Sequence, residues 1–269
     1  MMRHLLCAIT LGAVGLATYP PGVLRAQGDA LIVHELATRA GRLFSQNTAT
    51  MKPVVTSSGS VVFVGLTPEF RQRPHHHEQE QVIFVLSGTV DVSIGDRTQS
   101  LGPMQVAIPP SNVPHYMTNN SGKPATVLEY QPVAREDWLG TPSAASQKQS
   151  PQPLELPTGR IVDADLSRAS EGWRVGADGG RVKSFAGQSI RVDVWDLSSA
   201  NASANLEPGK TGARRFLYTI EGESRVSATG ISRTIPHDVF VEMNDQVPVR
   251  LQAIGNGRTV FALFEVLGK

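Results

Sequence analysis

The chain has 269 residues, 40% of them hydrophobic and 18% charged, which is enough apolar material for a core and too little charge for a disordered chain. The formal net charge of +1 is spread along the sequence, so nothing marks the basic face that a nucleic-acid partner would require. The single cysteine is Cys7, inside an N-terminal apolar run, which excludes thiol catalysis and a disulfide framework from the rest of the chain.

Met1-Met2-Arg3-His4 is a short basic start, Leu5 to Ala17 is apolar, and Ala26-Gln27 suits a cleavage point. The apolar run is shorter than the roughly 20 residues of a membrane-spanning helix. Residues 1–26 are therefore expected to be a signal peptide, and the mature protein to be periplasmic or secreted, with no membrane contact after cleavage. Leu31 to Ser45 has a weak helical periodicity. Downstream, short runs rich in Val, Ile, Phe and Tyr are punctuated by Gly, Pro, Asn and Asp. Examples are Val61–Val64, Val82–Leu86, Thr89–Ile94, Met104–Ile108 and Thr126–Tyr130. Such runs read as antiparallel strands, and the expected fold class is all-β.

From 139 to 159 the composition turns to Pro, Ser and Gln, with almost nothing to bury, as in a surface linker. Strand-like runs then resume to the end of the chain. Val82-Ile-Phe-Val-Leu-Ser-Gly88 is echoed by Phe216-Leu-Tyr-Thr-Ile-Glu-Gly222, a repeat of about 135 residues that predicts two copies of one barrel in tandem. The expected organisation is a first barrel over 27–138, a linker over 139–159 and a second barrel over 160–269.

Pro74-His75-His76-His77-Glu78-Gln79-Glu80-Gln81 leads into the strand ending at Gly88. If strand alternation holds through it, His75, His77, Gln79 and Gln81 share one face, while His76, Glu78 and Glu80 take the other. Two imidazoles two residues apart can bind one divalent ion, and the Gln81 carbonyl can add an oxygen. A second segment, Gly102 to Asn119, reads as strand, turn and strand. Asn112 tolerates the positive φ that a tight turn needs, and the turn presents His115 at the head of the returning strand.

These two segments resemble the two sequence motifs of the cupin superfamily. His75-x-His77-x3-Gln81-x6-Gly88 and Pro110-x-Asn112-x2-His115-x3-Asn119 keep the family spacing, with Gln81 where most members have Glu and Asn112 where most have Gly. Some cupins, including those resembling the uronate-processing KdgF group, use glutamine as a ligand. The resemblance implies small jelly-roll barrels, with one divalent transition metal ion (Fe, Mn, Ni, Co or Zn) held by His75, His77, Gln81 and His115. In the second copy the equivalent positions are Gly209, Thr211, Arg215 and Val249, so that barrel is expected to hold no metal.

Three neutral imidazoles and an amide leave the charge of a divalent ion uncompensated, which should draw a small carboxylate or another enolizable, oxygenated anion. The expected function is an enzyme of dioxygenase, lyase or isomerase type, with Tyr116, Tyr130 and Gln79 as candidates for acid–base or substrate contacts. Glu129 alternates with Tyr130, so only one of the two can face the interior. The alternative is a non-catalytic sugar- or metal-binding protein. Homo-oligomer formation is left open by the sequence.

Overall fold

A computed structural model of the chain describes residues 23–25, 30–139, 161–162, 172–176, 178–198, 202–209, 214–244, 246–255 and 257–267. The expected signal peptide and linker lie almost wholly outside these residues. Among the described residues all regular structure is strand, apart from one 3₁₀ turn at Glu136–Leu139, and no helix is long and apolar enough to cross a membrane.

The strands that build the site and its setting are β1 (Leu31–Glu35), β2 (Ala49–Thr56), β3 (Gly59–Leu66), β4 (Val82–Ser87), β5 (Val90–Ile94), β6 (His115–Thr118) and β7 (Ala125–Gln131), followed in the second half by β8 (Ile190–Leu197), β9 (Arg214–Glu221), β10 (Val239–Asn244) and β11 (Thr259–Val266). In the first half, β4, β7, β3 and β2 lie side by side in a seven-stranded sheet, faced by a three-stranded sheet of β6, β5 and Arg97–Leu101. The second half repeats the plan, with β10, β9, β11 and β8 central in an eight-stranded sheet and a four-stranded sheet opposite.

The two large sheets pack against each other. β4 shows why its sequence is an unbroken apolar run: Ile83 and Val85 enter the core of the first barrel, while Val82 and Phe84 enter a second core between the barrels with Phe216, Tyr218, Phe240 and Phe264. A strand buried on both faces loses the apolar–polar alternation of a half-exposed one. The internal repeat has a structural counterpart. Gly88 (φ 73) and Gly222 (φ 75) each follow their strand beside a register shift, against β7 in one barrel and β11 in the other. A Cβ on Gly88 would lie 2.5 Å from the Pro124 carbonyl oxygen, so glycine is needed for space as well as for φ.

The weak helical pattern over Leu31–Ser45 is corrected by the structure, where 31–35 and 42–44 are strands. β1 pairs antiparallel with β10, Leu31 opposite Met243 and Glu35 opposite Val239. Pairing along an open sheet edge satisfies the backbone of this Leu-Ile-Val run and outweighs a faint local periodicity. β1 therefore belongs to the sheet of the second barrel. In return, Ile161–Val162 pairs with Val106–Ala107 of the first. Each half lends a strand to the other.

Candidate metal centre

The histidines are brought together by backbone pairing. Residues 71–75 run antiparallel to β6, with bridges Arg71–Thr118 and His75–His115. His75 and His115 exchange both backbone hydrogen bonds, at 3.1 and 2.8 Å, and the Asn112 amide donates to the His77 carbonyl at 2.6 Å. Asn112 has φ 60, the turn conformation expected for it. The rings of His75, His77 and His115 stand 4.6 to 5.2 Å apart, centroid to centroid. All three are buried, and one ligand nitrogen from each lies within 4.8 Å of the others.

Hydrogen bonds decide which nitrogen two of the rings present. The Nδ1 atoms of His75 and His115 sit 2.9 Å from the carbonyl oxygens of Arg73 and Val113. A carbonyl only accepts, so Nδ1 carries the proton and Nε2 offers its lone pair. Burial, and then the neighbouring His75, push His115 down to about 3; His75 is lowered as well, chiefly by burial. Both rings are therefore neutral, the form in which imidazole binds metal.

The orientation of Gln81 is fixed from a distance. Arg135, which can only donate, gives Nη1–H to Gln131 Oε1 at 2.5 Å. Gln131 must then turn its Nε2 toward Gln81, donating to Oε1 at 3.0 Å. Gln81 in turn donates Nε2–H to Glu129 Oε2 at 2.8 Å. The result places Gln81 Oε1 3.1 Å from the His115 Nε2 lone pair. Two acceptors so close repel unless a cation lies between them, and ligands at right angles, each about 2.1 Å from one ion, sit about 3 Å apart. The donor set thus fits a divalent metal, and the fixed polarity of the amide chain supplies the supporting hydrogen bonds that such ligands need.

A cavity of about 60 Å³ adjoins the histidines, lined by His75, His77, Glu129, Arg135, Gln72 and Trp138 among others. A groove of about 630 Å³ outside it shares Phe44, Gln72 and His75, so the cavity has an approach from the surface. Burial raises the Glu129 carboxyl to about 7, with Arg135 and the Gln81 hydrogen bond pulling the other way. Arg135 is clamped by Asp137 at 2.7 and 2.8 Å and lies 4.9 Å from the Trp138 ring centre.

Three candidates do not join this site. Tyr130 points into the core between the barrels, 5.8 and 5.6 Å from the rings of Phe216 and Phe264; on β7 it is Glu129 that faces inward. Tyr116 alternates outward between His115 and Met117, both buried. Gln79 occupies the bend at 78–79, half-buried, and lines neither the cavity nor the groove. That bend breaks the expected strand phase after His77. It turns Glu80 toward the second barrel, where its carboxylate accepts from the Gln188 amide (2.8 Å), the Ser189 amide (2.6 Å) and the Ser189 hydroxyl (2.8 Å). Gln131 and Arg135 were absent from the sequence reading because they lie beyond the two motifs, in a strand end and an irregular segment with no spacing signature.

A double-barrel all-β protein with three converging histidines is the class that these observations define. Residues 62–130, in the first barrel, match the cupin domain family. No curated protein matches the sequence. Among solved structures, the fold is similar to a protein described as glyoxylate-induced from Pseudomonas aeruginosa (TM-score 0.68, 14% identity, covering 96% of this chain and 94% of that one). It is also similar to oxalate decarboxylase from Bacillus subtilis (0.64, 15%, 86% and 75%), a protein with Mn(II) centres, and to AerE from Microcystis aeruginosa (0.63, 12%, 86% and 98%).

Proposed function

We propose that the first barrel is a mononuclear metal enzyme acting on a small oxygenated anion, with His75, His77, Gln81 and His115 as the ligands. The observation that carries this is the convergence of histidine lone pairs and Gln81 Oε1 beside a cavity open to a groove. Neutral ligands leave a cation's charge to be matched by substrate, which favours a carboxylate with a neighbouring hydroxyl or keto oxygen. When bound, the ion would act as a Lewis acid on such oxygens or, if redox-active, support dioxygen chemistry.

The chain's own residues supply the rest. The narrow inner cavity admits only a compact head group, and its apolar walls, Met51, Val64 and Phe70, keep bulk water from that end. Two carboxyl groups line the cavity, Glu129 and Asp137; Asp137 is taken up by Arg135, and Glu129 is placed to hold or pass a proton next to substrate. A lyase or isomerase needs such a carrier and a dioxygenase does not, so Glu129 favours the former. The likeness of fold to a decarboxylase is in line with that choice. The basic and apolar N-terminus supports export to the periplasm or exterior.

The test is metal analysis of protein from its native compartment, then reconstitution with Mn, Fe, Co, Ni or Zn. Each form is assayed for substrate loss, oxygen uptake and carbon dioxide release on a panel of hydroxy and keto acids that includes oxalate. Turnover without oxygen uptake is expected, and metal-loaded protein inert to the whole panel would favour a binding protein. His115→Ala should lose metal while the barrel stays folded, because the site adds to an existing core; undiminished metal content would remove His115 from the ligand set.

A further inference from the structure

Two spaces of very different size meet at the candidate metal centre. The inner cavity of about 60 Å³ takes only a compact head group. The groove outside it measures about 630 Å³, within the usual range for small-molecule sites. Phe44, Gln72 and His75 line both, so a molecule held at the histidines can extend past Gln72 into the groove.

Gln72 is held by Met117, two residues beyond His115 on β6. Its backbone amide donates to the Met117 carbonyl at 2.9 Å, and its Oε1 accepts from the Met117 amide at 3.0 Å. A backbone N–H can only donate, so the side-chain amide cannot be turned the other way, and Nε2 keeps two N–H donors. Those donors meet no acceptor among the described residues. Gln72 is half-buried, and its Nε2 is not sealed from solvent. Apart from the histidines, the other polar side chains of the inner cavity are engaged: Arg135 with Asp137, Glu129 with Gln81, and Arg42 with the carbonyls of Asp137 and Trp138. A second observation concerns the groove wall, part of which is the turn from Ser45 to Thr48. Ser45, Gln46 and Asn47 have φ 51, 57 and 68, a left-handed run that residues other than glycine rarely hold together. The Ser45 hydroxyl pins this turn to the segment of Gln72, donating to the Arg71 carbonyl at 3.1 Å. Backbone strain kept in place by its surroundings is characteristic of ligand-binding sites.

We infer that Gln72 is a specificity-determining residue, whose Nε2–H donates to an oxygen on the chain of a hydroxylated acid that lies in the groove with its head group at the histidines. The inference rests on the metal-site reading proposed above and narrows its substrate class to acids of several carbons, with hydroxyls beyond the chelating pair. Ser45, Gln46, Thr48, Glu69, Arg71 and Arg73 line the groove and offer donors and acceptors together, which suits hydroxyls because each can do both. An aliphatic chain would displace water from these groups without replacing its hydrogen bonds. Two arginines against one glutamate do not oppose the charge of an acid.

Isothermal titration of the zinc-loaded full chain tests this with three acids that share one chelating head group: glycolate, 2-hydroxyhexanoate and gluconate. Gluconate should bind about five-fold or more tighter than either of the others, as one added hydrogen bond implies. Gln72→Glu keeps the acceptor for the Met117 amide but removes the donors, and Gln72→Met removes the donors without adding charge. Both variants should keep their zinc, and in both the preference for gluconate over glycolate should shrink by about that factor. Taking the ratio of the two acids cancels any general repulsion by the new carboxylate. The inference alone is overturned if the zinc-loaded parent binds glycolate and gluconate equally, if 2-hydroxyhexanoate binds as tightly as gluconate, or if both variants keep the parent's preference. A folded chain that takes up no zinc would overturn the proposed function and this inference with it.

Discussion

Arg135 shows how far a single side chain can reach. Because guanidinium cannot accept a hydrogen bond, it dictates the sense of two successive amides and so decides which Gln81 atom meets His115. Motif spacing made the convergence of His75, His77, Gln81 and His115 legible, since side chains on paired backbone segments must keep a fixed register. Glu129, Gln131 and Arg135 are held in place by cross-strand geometry that no short motif records. Tyr130 was misplaced because alternation along a strand buried on both faces says which residues share a side, and not which side is the barrel interior. Its buried hydroxyl lacks a partner among the described residues, so Tyr130→Phe should leave metal content and turnover unchanged and shift unfolding free energy by no more than about 1 kcal/mol. A fall in turnover would return the hydroxyl to the site. Asp196 offers a pH test. Burial alone would raise its carboxyl, but hydrogen bonds from Arg258 and Arg181 outweigh that and hold it below the ordinary 3.8. A depressed folded value means that its stabilisation is present above the unfolded value and lost as pH falls through the folded one. Denaturant titrations of the parent and Asp196→Asn should differ most near neutrality and converge in acid.

At the level of elements, the bend at 78–79 is the informative departure. Residues 75 and 77 obey strand alternation, and the sequence pattern offers no Gly or Pro to announce that it ends there. What ends it is the Gln188–Ser189 turn of the other barrel, whose donors capture Glu80. One residue therefore ties the second barrel to its neighbour in sequence, Gln81. A tertiary partner 108 or more residues away is invisible to local reading, as was the edge of β10 that makes β1 a strand. Glu80→Gln keeps the size of the side chain but puts an amide NH₂ opposite backbone donors. It should cost about 2 kcal/mol, as expected for broken bonds to a buried charge, and should lower metal affinity. An unchanged denaturation midpoint would make the clamp incidental.

Over the whole molecule, the reciprocal loan of strands makes the barrels one cooperative unit. The core between them contains aromatic side chains of both halves, including Tyr130, Phe216, Phe240 and Phe264, and neither half covers that surface alone. Calorimetry should give a single transition with matching van't Hoff and calorimetric enthalpies. Residues 27–138 expressed alone should fail to give a folded, metal-binding barrel. Two separated transitions, or a stable isolated half, would contradict this. The all-β class and the duplication were legible from turn spacing and the paired glycines, whereas the exchange of strands was not, because edge pairing leaves no pattern in the strand that is lent.

That exchange also sets an order of events at the ribosome. β1 pairs with a strand, β10, that follows it by more than 200 residues. β1 has no β10 edge to join until Asn244, the last residue of that strand, has emerged. Long-range closure of this kind slows folding. A chain that cannot lock its leading strand early stays open for longer before it closes into its final sheets.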